Sequence, residues 1–171
     1  MAVVPAAERV ATLREWGISD PLIRLSCGES PHPQLDYFSY GGPPGYIYDR
    51  ESGVRPPRGS LFAPLWELNE TVTGVWLRKK SLEFIKFEFA RPSEYTVLAH
   101  TEQGFWATIF DFLYEMDTSV KELRVLAKLV GFQFLNRILS AYKETASGTY
   151  GDRRTRMRSV VADIDQESPP R

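Results

Sequence analysis

The chain has 171 residues, of which 43% are hydrophobic and 13% aromatic, and its formal net charge is −1. This length and composition fit one globular domain with a packed core. The charge balance excludes a general electrostatic attraction to nucleic acid or to anionic lipid, and no run approaches the roughly 18 apolar residues of a membrane span. We therefore expect neither a nucleic-acid partner nor a membrane association.

Cys27 is the single cysteine, so no internal disulfide can form. The N-terminal segment lacks the sustained apolar stretch of a secretory signal, because Pro5, Glu8 and Arg9 interrupt it. Both features favour a reducing compartment, and we expect a cytoplasmic protein.

Two short helices are predicted at the start of the chain. Ala6–Trp16 carries apolar residues at helical spacing and is followed by Gly17, while Ser19-Asp20-Pro21 begins a second helix over Pro21–Cys27. Cys27 is expected to pack at the end of this second helix. No basic residue or histidine adjoins it in the sequence, so an unreactive thiol is expected.

Residues 29–60 are rich in proline and glycine and predict a long, stiff loop. One strand is expected at Tyr46–Asp49, closed by a turn at residues 51–53. Tyrosines are interleaved through this loop, and they either cover the sheet or form a recognition surface. The aromatic residues that we expect to contact a partner are Tyr37, Tyr40, Tyr46, Tyr48 and Trp66.

Three strands follow, at Leu61–Trp66, Thr71–Leu77 and Ser81–Phe89. Pro64 removes a backbone donor from the first, which indicates an edge strand or a bulge. In the third strand the apolar alternation changes phase at Phe84-Ile85. Either a bulge there turns all its apolar residues to one core, or the sheet is covered on both faces. We favour the bulge, because it leaves Glu83 and its charged neighbours in solvent.

A further strand at Glu94–His100 leads into a very apolar helix over Phe105–Met116, with Thr101 as its N-cap. Its apolar stripe is wider than a single contact line, and Asp111 lies on its expected solvent side. The residues assigned to this stripe are Phe105, Trp106, Ile109, Phe110, Phe112, Leu113 and Met116.

Two more helices are predicted up to Glu144, the first capped by Thr118 or Ser119 and ended by Gly131. Residues 147–171 contain few large apolar side chains and predict a disordered tail. The basic run of this tail consists of Arg153, Arg154, Arg156 and Arg158.

No metal-binding or catalytic motif occurs in the sequence, and we expect no catalytic residue, metal or cofactor. Cys27, His32 and His100 are the residues from which a dispersed site could be assembled. A histidine at the end of a strand is more simply a structural residue, and the carboxylates of the strands are explained by alternation.

The stretch of strands followed by a Phe-rich helix resembles the C-terminal half of the Smi1/Knr4, or SUKH, superfamily. The segments that carry the resemblance are Val72–Leu77, Leu82–Phe89, Tyr95–Ala99 and Glu102–Glu115. Upstream, residues 33–38 and the pair Gly41-Gly42 are similar to the proline, tyrosine and double-glycine segment of that family. The chain departs from the family pattern where Asn69-Glu70 replaces a glycine-rich turn, and where helices extend it over Ser119–Glu144.

The resemblance implies a non-enzymatic domain, and many relatives are immunity proteins that neutralise a cognate bacterial toxin. We therefore expect a single SUKH-like α+β domain over residues 1–146, with a twisted, mostly antiparallel sheet of about four to six strands packed on helices and a helical C-terminal extension. The expected function is binding of a protein partner, possibly a toxin domain. The alternatives are a small hydrolase or transferase with a Cys/His site, and a regulatory subunit that docks through its basic tail.

Overall fold

A computed structural model describes residues 2–40, 42–48, 61–78, 81–91 and 93–168. The chain divides into two compact units, the first over Met1–Leu98 and the second over Ala99–Pro169. The first unit contains the sheet and three helices, and the second contains four helices within the described residues. The predicted α+β class is confirmed. The prediction of one domain over residues 1–146 stays a prediction.

The sheet has five strands within the described residues, in the spatial order β1-β2-β3-β4-β5. β1 runs parallel to β2, whereas the β2–β3 and β3–β4 pairs are antiparallel. The predicted number of strands and the mostly antiparallel pairing are therefore confirmed. The strands are β1 (Ala2–Val3), β2 (Leu61–Leu68), β3 (Thr71–Arg78), β4 (Ser81–Glu88) and β5 (Tyr95–Ala99).

The irregularity of the sheet lies in β2. The register shifts between Pro64 and Trp66, which confirms the bulge that Pro64 predicts. The second predicted bulge, at Phe84-Ile85, is wrong. Residues of β3 and β4 pair without interruption from Thr71 opposite Glu88 to Arg78 opposite Ser81. The phase change in β4 therefore reflects burial on both faces of the sheet.

Both faces of the sheet are covered. Phe84 and Val75 are cross-strand partners and both are buried, while their neighbours Ile85 and Phe87 are buried on the opposite face. Glu83 lies on that second face opposite Trp76 and is only 8% exposed. The expectation that Glu83 stays in solvent is therefore wrong, because a regular register turns it towards the aromatic layer.

Three short helices accompany the sheet in the first unit, namely α1 (Arg9–Glu15), α2 (Asp20–Ser26) and α3 (Asp36–Ser39). Each of them contacts β2. Gly45–Ile47 forms a 3-10 turn. The strand predicted at Tyr46–Asp49 is therefore wrong for its described residues, Tyr46 to Tyr48. The prolines before them favour a tight turn. The predicted turn at residues 51–53 lies outside the described residues, as do residues 79–80 and Pro92.

The helical unit is built around α4, which contacts the other three helices. Thr101 accepts a hydrogen bond from Gly104 N, so the predicted N-cap of α4 is confirmed. The assignment of Met116 to the predicted apolar stripe is wrong. Met116 is 65% exposed, because it follows the last helical turn. The helices are α4 (Glu102–Glu115), α5 (Val120–Val130), α6 (Leu135–Glu144) and α7 (Tyr150–Glu167).

The predicted disordered tail is also wrong, because α7 occupies most of it. Thr149 and Asp152 form a capping box at its start, in which each side chain accepts a hydrogen bond from the other's backbone N–H. The helix buries one narrow stripe and exposes charged residues on the rest of its surface. The buried residues are Met157, Val160, Val161 and Ile164.

Candidate functional site

Two of the five predicted contact residues are well exposed, and both lie at α3. Tyr40 is 83% exposed and Tyr37 is 41% exposed. They are three residues apart at a helical turn, so their side chains are neighbours. Large exposed aromatic side chains that lie side by side are typical of protein interaction sites.

The turn between β2 and β3 contacts Tyr37. Asn69 and Glu70 both have left-handed backbone angles, with φ of 49° and 63°, as in the two-residue turns that match the twist of a hairpin. Asn69 Nδ2 donates to Tyr37 Oη at 3.3 Å, and Glu70 N donates to Glu67 Oε1 at 2.7 Å. The first bond joins the turn to α3, and the second closes the turn itself. We call Tyr37, Tyr40, Glu67, Asn69 and Glu70 the tyrosine–acid surface.

Tyr46 borders the tyrosine–acid surface. Glu67 N donates to the carbonyl of Gly42 at 3.0 Å, which ties the proline-rich loop to β2. Burial raises the pKa of Tyr46, and the negative charges of Glu67 and Glu70 raise it further. The phenol therefore lies within the electrostatic field of both carboxylates.

The remaining predicted contact residues pack inside the first unit. Trp66 is 2% exposed and its ring lies 5.5 Å from that of Phe38, so its assignment as a surface contact is wrong. The register shift at β2 places it on a covered face. Tyr46 and Tyr48 are half-buried and pack against a core cluster on the other face of the sheet. Burial is also the main reason that the pKa of Tyr48 is raised.

Cys27 has a cationic neighbour that its sequence context did not indicate. Arg9 is buried, and its Nη2 donates to Cys27 Sγ at 3.4 Å. The same guanidinium donates to Ser26 Oγ at 2.7 Å and to the carbonyls of Ser26 and Pro64. The expectation that no basic group adjoins this thiol is therefore wrong. Arg9 reaches it from another helix, at a sequence distance that local patterns do not reveal.

Each histidine has a structural role. His32 caps a 3-10 turn, where its Nδ1 accepts from Gln34 N at 3.3 Å. The backbone N–H of His100, in the helical unit, donates to Asp165 Oδ2 at 2.8 Å. Among the residues that the structure describes, no group of three or more His, Cys, Asp or Glu could hold a metal ion. The Cys/His enzyme alternative has no described contact that joins its members.

A partly buried polar cluster joins three helices of the second unit. Tyr142 Oη donates to Asp111 Oδ1 at 2.6 Å, and Arg153 lies over the Tyr142 ring at 5.4 Å. Burial raises the pKa of the Asp111 carboxyl, and the Tyr142 hydrogen bond opposes this shift. Burial and the Asp111 hydrogen bond raise the pKa of Tyr142. The helix position of Asp111 predicts that it faces solvent, and no sequence signal pairs it with Tyr142.

The arginines predicted to form a basic docking tail are largely engaged on α7 itself and its neighbour. Arg156 forms a salt bridge with Glu144 at 2.8 Å. Arg154 lies over the ring of Tyr150 at 5.8 Å, as Arg153 lies over Tyr142. Docking through this segment would have to compete with these contacts.

No protein-family model, curated protein or solved structure matches the chain. Of the helices that the structure describes, none combines the length and the apolar character needed to cross a bilayer. The geometry of the described residues therefore provides the basis for a functional assignment, together with the resemblance seen in the sequence.

Proposed function

We propose that the protein is a non-enzymatic binding domain of the cytoplasm, and that it acts as an immunity protein that binds and neutralises a cognate bacterial toxin. The observation that carries this proposal is the tyrosine–acid surface, in which Tyr40 is 83% exposed beside Tyr37. The SUKH-like order of strands and Phe-rich helix supplies the class of partner.

The physical argument is one of preorganisation. Tyrosine brings a large apolar ring and a polar tip to an interface and loses few rotatable bonds when it is immobilised. The Tyr37 Oη contact with Asn69 and the Glu67 contact with the Glu70 amide hold the turn before any partner arrives. Because the turn is already ordered in the unbound protein, binding does not lose the conformational entropy of ordering it.

The test is protection of a cell from the toxin. The chain is co-expressed with the protein encoded beside it in its native genome, and survival is compared between wild type and Tyr40→Ser. Wild type is expected to restore growth and to co-purify with that protein at a fixed stoichiometry. Tyr40→Ser is expected to weaken the complex by about tenfold or more, because interface tyrosines often contribute 1–2 kcal/mol or more.

Met116→Ser is the matched control, since Met116 is also exposed but lies in the helical unit. Equal protection by wild type and Tyr40→Ser, with unchanged affinity, would show that this surface is not the binding site. Catalytic turnover of any small molecule that is lost in Cys27→Ser would support the enzyme alternative instead.

A further inference from the structure

We infer that the partner presents a lysine- and arginine-rich protein surface to the tyrosine–acid surface. This inference rests on the proposed function, and it adds the chemistry of the partner. It is carried by described carboxylates that lie outside salt bridges beside exposed aromatic rings.

The carboxylates of this region lie outside the salt bridges of the described residues. Within the described part of the chain, neither Glu67 and Glu70 nor Asp36 on α3 lies in a salt bridge, although Asp36 and Tyr40 share a face of that helix. At the adjoining end of β4, Arg91 is already bonded to its own carboxylates. Six other carboxylates are each paired with an arginine: Asp20, Glu29, Glu88, Glu94, Glu144 and Glu167.

The negative potential acts on the aromatic groups as well. Burial is the main cause of the raised pKa of Tyr46, and the negative charges of Glu67 and Glu70 raise it further. An arginine from a partner could make both kinds of contact offered here, a hydrogen bond to a carboxylate and stacking on a ring. Its guanidinium donates to a carboxylate through a planar fork and also stacks on a tyrosine ring.

The same charges disfavour other occupants. Carboxylates repel the phosphates of nucleic acids and anionic lipid head groups. A symmetric contact between two copies would place the acidic surface against itself, because a two-fold interface uses the same patch on both subunits. A basic surface on a different protein is therefore the complementary partner.

The experiment first uses defined probes on the full chain. A short peptide of alternating arginine and glycine and its glutamate–glycine twin are titrated into isotopically labelled protein, and amide chemical shifts are followed by NMR. The arginine peptide is expected to move the Tyr40, Asn69 and Glu70 signals, and the glutamate peptide to leave them unchanged. Equal effects of the two peptides, or shifts confined to other residues, would overturn the inference.

The second measurement uses a charge-neutralised variant, Glu67→Gln/Glu70→Gln. Glutamine retains the oxygen that accepts from the Glu70 amide, so the turn is kept. Exposed ion pairs contribute about 0.2–1 kcal/mol each, so the arginine peptide should bind about twofold to thirtyfold more weakly. Glu15→Gln/Asp163→Asn is the control, since it removes the same net charge from two exposed positions elsewhere and should bind as wild type does.

Failure of this inference and failure of the proposed function give different results with the toxin. If Tyr40→Ser loses protection but the Glu67→Gln/Glu70→Gln variant binds the toxin as wild type does at low and high salt, the surface binds a partner that is not basic. If Tyr40→Ser protects fully, the proposed function is wrong. Self-association that depends on Tyr40 in sedimentation would show that a second copy is the occupant and would overturn the inference.

Discussion

Asp165 closes the start of α4 through Thr101. Its Oδ1 accepts from Thr101 N at 2.9 Å and from Thr101 Oγ1 at 2.7 Å, while Oδ2 accepts from the backbone of His100. One carboxylate on α7 thus satisfies donors at the positive end of another helix. The contact joins residues 64 positions apart in the sequence, within the helical unit.

Replacing Asp165 with alanine should destabilise the protein. The change removes three charge-assisted hydrogen bonds, and we expect the free energy of unfolding to fall by about 2–4 kcal/mol. Chemical denaturation with the midpoint and slope fitted together measures this. Asp163→Ala is the control, because that side chain is exposed on the same helix; a similar loss in both variants would contradict the capping role.

Gly104→Ala should destabilise the protein although alanine favours helices by about 1 kcal/mol over glycine. A Cβ at Gly104 would collide with the carboxylate of Asp165. In the Asp165→Ala background that collision is absent and only the tight contact with Ala99 Cβ at 3.1 Å remains, so the same substitution should be clearly less destabilising. A double-mutant cycle measures the coupling, and additive effects would show that the two residues do not interact.

Asp111 should make stability depend on pH in the acid range. Burial raises the pKa of its carboxyl above the ordinary 3.8, so the folded state binds a proton that the unfolded state has already lost. The stability that Asp111 contributes is therefore highest below about pH 3.8 and decreases as the pH rises through the folded pKa. The difference in unfolding free energy between wild type and Asp111→Asn, measured across this window, should fall with rising pH. A constant difference would contradict the raised pKa.

Removal of residues 147–171 should unfold or strongly destabilise the helical unit. If these residues were a tail in contact only with solvent, their removal would leave the stability unchanged. Four apolar side chains of α7 are buried, and each buried aliphatic residue contributes about 1.5–3 kcal/mol. Circular dichroism and thermal unfolding of the truncated chain test this. Ile164→Ala, with an expected loss of about 2–5 kcal/mol, is the milder version.

Cys27→Ser should leave both folding and toxin protection intact. Serine can still accept a hydrogen bond from Arg9, and the cysteine is exposed, so a change within about 0.5 kcal/mol is expected. Growth assays and denaturation measure the two properties. Loss of protection with unchanged stability would favour thiol chemistry over a purely binding role.

The elements that local chemistry specifies were predictable. Thr101, Ser119 and Gly131 mark helix ends through bonds or backbone angles that involve only nearby residues. β3 and β4 were recognised by their β-branched and aromatic residues. The number of covered faces was not predictable, because a phase change in apolar alternation fits a bulge and two-sided burial equally well.

The composition of residues 147–171 does not predict α7, because its apolar residues are sparse and lie among arginines and carboxylates. Its helical spacing from Met157 to Ile164 is visible in the sequence, and the Thr149–Asp152 capping box is an independent signal for a helix start. Composition predicts disorder for this segment whereas periodicity predicts a helix, and tertiary packing decides between them. For the candidate site, tyrosine identity was informative, but exposure separated Tyr40 from Trp66, and exposure is a property of tertiary packing.

The burial of β3 on both faces has a consequence for how such a protein could change specificity over evolution. Substitutions in Val72 or Val75 would disturb a packed layer, since both are fully buried. The hairpin tip at Asn69-Glu70 and the exposed ring of Tyr40 can vary without altering these layers. In lineages that acquire a new partner, we therefore expect most substitutions at the hairpin tip and at α3. The buried strands should accumulate substitutions more slowly.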